Sequence, residues 1–174
     1  MLLATGLFSV AGAQVRSAEA SGSGQAVGAS GLALPRFVSL KADRVHSRQG
    51  PGTDYKVLWV YRRAGLPLEV IREFDGWRQV RDSEGAVGWV LQSLVSGRRT
   101  ALVLPWEIKS GKAPKIKLLS DDSEGSAPVA ILEAGVITNI RSCDATWCYV
   151  SVGTFRGYIE QKRLWGVYPG EIIR

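Results

Sequence analysis

Val45-His46-Ser47-Arg48-Gln49-Gly50-Pro51-Gly52-Thr53-Asp54-Tyr55-Lys56-Val57 is followed by Gly76-Trp77-Arg78-Gln79-Val80 and then by Gly88-Trp89-Val90. Between the first two blocks Leu66, Leu68 and Val70 alternate with their neighbours, and Trp77 with Gln79 and Arg78 with Val80 alternate likewise, the pattern of short half-buried strands. Pro51 holds φ near −65°, and Gly50 and Gly52 beside it are free to take positive φ, so the chain is expected to reverse there without strain. Trp77 and Trp89 supply large apolar surface to a small core, and Gly88 leaves room for close approach of another backbone or a ring.

Working outward, the same blocks recur. Ala64-Gly65-Leu66-Pro67-Leu68-Glu69-Val70 has a counterpart in Ala134-Gly135-Val136-Ile137-Thr138-Asn139-Ile140, and Trp77-Arg78-Gln79-Val80 in Trp147-Cys148-Tyr149-Val150, both at an offset of 70. Gly88-Trp89-Val90 then matches Gly157-Tyr158-Ile159 at an offset of 69. Three blocks in one order at nearly constant spacing mark an internal duplication. Turn-forming stretches cut the runs: Asp75-Gly76, Ser83-Glu84-Gly85, Ser123-Glu124-Gly125 and Asp144-Ala145-Thr146. The expected fold is all-β: two tandem small β-barrels, over 35–97 and 98–174. Units this small are marginal alone, which gives the two copies a reason to pack together.

The first unit resembles the bacterial SH3-like (SH3b) domain family, whose landmarks run L-N-V-R-x-G-P, G-W-x-x-V and G-W-V. The second keeps Gly135, Trp147 and Gly157-Tyr158-Ile159 but has Leu119-Ser120-Asp121-Asp122-Ser123-Glu124-Gly125 where the Arg-x-Gly-Pro turn would stand, so it reads as a diverged copy. In the first unit His46 replaces the usual Asn and Ser47 a normally buried aliphatic. The resemblance implies a ligand in the cell envelope, peptidoglycan peptide or a partner protein, and no catalysis.

Composition bounds the alternatives. The 174 residues are 45% apolar and 22% charged, which excludes a fully disordered chain. No apolar run reaches the roughly 18 residues of a bilayer-spanning helix. The net charge of +6 favours anionic partners without choosing among them. Residues 36–99 hold 12 Lys and Arg against 7 Asp and Glu, whereas residues 100–174 hold 9 against 8. Arg98, Arg99, Lys109, Lys112, Lys115 and Lys117 gather at the junction. Residues 1–13 form an uncharged apolar stretch ending in Ala11-Gly12-Ala13, the pattern of an export signal, although no Lys or Arg precedes it. Residues 14–34, rich in Gly, Ser and Ala, read as a flexible spacer. The expected location is therefore periplasmic or secreted.

Cys143 and Cys148, the only cysteines, bracket Asp144-Ala145-Thr146-Trp147 and are expected on adjacent strands of a hairpin, joined as a disulfide. A catalytic thiol would need a base, and the single His lies in the other unit; zinc would need four ligands. No catalytic residue, metal or cofactor is assigned.

Binding residues are sought on the first unit. Arg48 either pins its loop through Asp54 or Asp75 or holds an anionic or peptide carboxylate group. His46 faces away from the core if Val45 points inward. Tyr55, Trp59 and Tyr61 are candidates for an exposed aromatic groove, and Trp165-Gly166-Val167-Tyr168-Pro169 for a seal between the units. The rivals are a small thiol-dependent wall peptidase and a basic nucleic-acid binder. An exported protein would rarely meet nucleic acid.

Overall fold

A computed structural model describes residues 26–108 and 114–174. After a short hairpin, β1 (Ala26–Val27) and β2 (Ala33–Leu34), the chain forms β3 (Arg36–Leu40), β4 (Val45–Arg48), β5 (Val57–Tyr61), β6 (Pro67–Phe74), β7 (Trp77–Arg81), β8 (Val87–Leu91) and β9 (Val95–Ser96). The second unit follows as β10 (Thr100–Val103), a single helical turn α1 (Pro105–Ile108), β11 (Lys115–Leu119), β12 (Pro128–Glu133), β13 (Ile137–Asp144), β14 (Trp147–Val152), β15 (Phe155–Glu160), β16 (Leu164–Trp165) and β17 (Ile172–Ile173).

The two antiparallel sheets have the same order. The first runs β5-β4-β8-β7-β6-β3-β9 and the second β12-β11-β15-β14-β13-β10-β16, with β17 added beside β13. A 3-10 turn precedes the last strand of each path, Gln92–Leu94 and Gln161–Arg163. The duplication is therefore structural, strand for strand. The Ala-Gly turns repeat as well: the Gly65 amide donates to the Leu40 carbonyl (2.8 Å) and the Gly135 amide to that of Val103 (2.7 Å), both glycines at positive φ.

Each unit buries its own apolar cluster. Val38, Leu40, Val45, Leu68, Val80 and Val90 lie at the centre of the first, and Val103, Ile116, Leu118, Val150, Ile159 and Leu164 at the centre of the second. Gly88 and Gly157 allow β8 and β15 to close each barrel. A Cβ on Gly88 would meet Ser47 Oγ and the Arg48 carbonyl oxygen, and one on Gly157 the Leu119 carbonyl oxygen. Ser47, where the family resemblance implies an aliphatic, is fully covered, and the second unit places Leu118 at the equivalent position.

Two expectations change. Gly50 and Gly52 do not adopt positive φ. They are small because the Tyr55 ring lies on them: a Cβ on Gly50 would come within 2.5 Å of it. The spacer expected over 14–34 does not hold to its end, because residues 26–34 form the β1–β2 hairpin; residues 14–25, and the signal read over 1–13, lie outside the described residues. The Glu73 carboxylate holds this hairpin, accepting from the Ser30 amide (2.7 Å) and hydroxyl (2.8 Å). Composition hid the contact, since its partner sits 43 residues away.

Cys143 and Cys148 stand directly opposite in the β13–β14 ladder and form a disulfide. The closed loop is short, so the bridge removes little chain entropy. Reduction is expected to lower stability by about 1–2 kcal/mol, a shift of a few degrees in a melt with and without reductant. A collapse of the second unit would contradict this. Among the described residues no helix is long and apolar enough to cross a membrane.

Candidate functional site

Val45 and Ser47 point into the first core, at 0% and 2% exposure. Strand alternation then puts Arg44, His46 and Arg48 together on the outer face. These three line a cleft of about 210 Å³ with Thr53, Trp77, Leu91 and Leu94. Trp77 forms its wall because β7 sends Val80 inward and Trp77 the other way. Trp77 and Trp89 are both buried among the hydrophobic residues, as expected, but lie outside the central apolar cluster.

Arg48 pins its loop, though not through Asp54 or Asp75. Its Nη1 donates to the Thr53 and Tyr55 carbonyls, each at 2.8 Å, leaving Nη2 and Nε without a partner among the described residues. Among the described residues no carboxylate lines this cleft. Three cationic or protonatable side chains beside an indole suit a carboxylate or other anion: guanidinium bonds it in bidentate fashion, and the ring covers an adjoining apolar part.

The aromatic groove expected from Tyr55, Trp59 and Tyr61 does not form. Tyr61 is in the core, its hydroxyl donating to Asp82 (3.2 Å), with burial first and the Asp82 charge second driving its pKa upward. Trp59 shares its parity, opposite Ser47, but sits on the edge strand β5 next to a register shift in the β4–β5 pairing, and stays 53% exposed. Tyr55 lies over the glycine loop, and neither Tyr55 nor Trp59 lines the cleft. Sequence reasoning missed Arg44, although Arg44-x-His46-x-Arg48 carries the period-two signal.

The residues expected to seal the units do so. Phe37 of the first unit meets Trp165 edge-on (centroids 5.3 Å) and Tyr168 (4.7 Å). The Tyr168 hydroxyl donates to Glu69 (3.0 Å), the Arg63 guanidinium to the Gly135 carbonyl (2.9 Å), and the Thr100 hydroxyl to the Gly65 carbonyl (2.7 Å). Beside this seal lies a larger cleft of about 1040 Å³ lined from both units, including Trp106, Trp165 and Tyr168. Its charged lining is Glu69, Asp82, Glu84 and Glu160 against Arg81 and Lys162. Burial, then the Glu69 and Glu171 charges, raise the Tyr168 pKa. An anion fits the first cleft and not this one.

The basic junction is not one patch. Arg99 is spent on Glu171 (2.7 Å) and the Gly166 carbonyl (2.9 Å), whereas Lys115 and Lys117 stand exposed on β11; Lys109 and Lys112 lie outside the described residues. Among the described residues no group of three or more His, Cys, Asp and Glu gathers as metal ligands would.

The model of the bacterial SH3 domain matches residues 41–97 and again 112–166. No curated protein matches the sequence. Among solved structures, NlpC2 of Trichomonas vaginalis is similar at 10% identity and a TM-score of 0.33, over 75% of this chain and 48% of that one. NlpC1 of the same organism is similar at 12% identity and a TM-score of 0.33, over 79% and 48%. The chain thus spans about half the length of these two proteins.

Proposed function

The chain belongs to the bacterial SH3 domain family, and from that premise we propose that it is a non-catalytic binding protein of the cell envelope, recognising peptidoglycan peptide or a partner protein through an anionic group. The observation that carries this is the Arg44–His46–Arg48 face beside Trp77, in a cleft that no carboxylate among the described residues lines. The disulfide supports an oxidising compartment, periplasmic or secreted. It also favours binding over a thiol peptidase, because both sulfurs are bonded to each other and neither offers a thiolate.

The test is co-sedimentation with purified peptidoglycan at low and high salt. Binding is expected at low salt and reduced at high salt, because the contact is largely ionic. The Arg44→Glu/His46→Glu double variant, changed at two exposed side chains, is expected to bind about tenfold more weakly while melting as the wild type does. Absence of wild-type sedimentation at either salt would remove the peptidoglycan reading.

A further inference from the structure

We propose that the second unit carries its own anion-binding cleft around Trp147, so that the chain holds a repetitive anionic polymer at two sites. This rests on the envelope-binding reading and extends it from one cleft to two.

Strand register fixes the equivalence. Arg48 pairs with Trp89 in the first sheet, and Leu119 pairs with Tyr158, the counterpart of Trp89, in the second. Counting back along each strand, Lys115 stands where Arg44 does and Lys117 where His46 does. Trp77 pairs with Leu91, and Trp147 correspondingly with Glu160. These positions line a cleft of about 350 Å³ against Trp147, closed at one end by Arg163 in the place of Leu94.

The chemistry is retained in part. Ile116 and Leu118 point inward as Val45 and Ser47 do, so Lys115 and Lys117 project outward. Neither lysine forms an ion pair among the described residues. Glu160 is occupied by Lys162 (2.5 Å) and by Arg163, leaving Glu124 on the turn as the other carboxylate in the lining. The second cleft is thus cationic, less strongly than the first, and lacks the loop-anchored guanidinium because Leu119 replaces Arg48. Ammonium groups suit a carboxylate as point charges, without bidentate geometry.

The seal between the units makes two weak sites useful. Phe37, Trp165 and Tyr168, with the Arg63–Gly135 and Thr100–Gly65 bonds, hold the two clefts at a set separation. A polymer engaged at one cleft therefore presents further anionic groups to the other at high effective concentration.

The experiment compares intact peptidoglycan with its soluble muramidase-released fragments, for the full chain and two variants. Calorimetry with fragments is expected to give two sites in the wild type and one in Lys115→Glu/Lys117→Glu. Intact peptidoglycan is expected to bind that variant about tenfold or more less tightly. Arg141→Glu, an exposed change on β13 outside both clefts, is expected to alter neither reading. Unchanged stoichiometry and affinity in Lys115→Glu/Lys117→Glu overturn the second site while leaving the envelope reading intact. Equal weakening by Arg141→Glu overturns it in favour of diffuse charge. Failure of the wild type to bind either probe removes the envelope reading itself, and the second site with it.

Discussion

Gly166→Ala is expected to cost about 4 kcal/mol, roughly a 10 °C fall in melting temperature, and to separate the two units. Two effects combine at this position. Gly166 sits at φ +125°, where a side chain is strained, and its Cβ would press on the Thr100 carbonyl oxygen and come within 2.9 Å of Ala101 Cα. Backbone atoms cannot turn aside as a side chain can. The only relief is to move the Trp165–Tyr168 segment away from β10, breaking the Arg99 bond to the Gly166 carbonyl (2.9 Å) and the ring contacts to Phe37. Gly170→Ala separates the causes: φ is +76° there, but nothing lies within 4 Å of the new Cβ, so about 1 kcal/mol is expected. Calorimetry on both variants decides. Equal small losses would mean that the β10 contact does not hold the units together.

The second large effect is expected at Glu73. Its side chain is 1% exposed, and its carboxylate meets Arg36 Nη2 (2.5 Å), Arg78 Nε (3.1 Å), and the Ser30 amide and hydroxyl. Burial alone would raise its pKa, but the hydrogen bonds from Ser30 and Arg36 and the Arg36 charge outweigh that and lower it to about 2. A folded-state pKa below the unfolded value means stability that is complete above about pH 4.5 and is lost as pH falls toward 2. The linked contribution is about 3 kcal/mol. Glu73→Gln leaves two guanidinium groups without their anion and is expected to cost a similar amount at neutral pH. Urea midpoints across pH test both points: the wild type should weaken steeply below pH 4.5, and the variant should start lower and fall less. Protease sensitivity of residues 26–34 should rise in the variant, because the hairpin loses its anchor. A variant with the wild-type acid slope would assign that slope to other carboxylates.

The family and the all-β duplication were legible because they depend on local rules. Three blocks at one offset became two sheets with the same strand order, and Cys143 and Cys148 met across a hairpin because strand register follows from a short loop. The candidate site was only half legible. His46 and Arg48 came from the motif and Arg44 was within reach of the same alternation, but that the buried Trp77 also walls the cleft was not, since an indole's apolar area does not reveal which side of a sheet covers it. Tyr61 went the other way, drawn inward by an Asp82 that is 21 residues distant.

Alternation, turn residues and repetition are properties of neighbouring positions, so the chain alone determined two barrels of known type, the disulfide of the second, and His46 and Arg48 as neighbours on one strand. Which face of each tryptophan is covered, the docking of the 26–34 hairpin on Glu73, the acidic cleft between the units and the alignment of Lys115 and Lys117 with Arg44 and His46 came only from tertiary structure. Those features join residues far apart in sequence, and their energies exist only after the sheets have closed and packed.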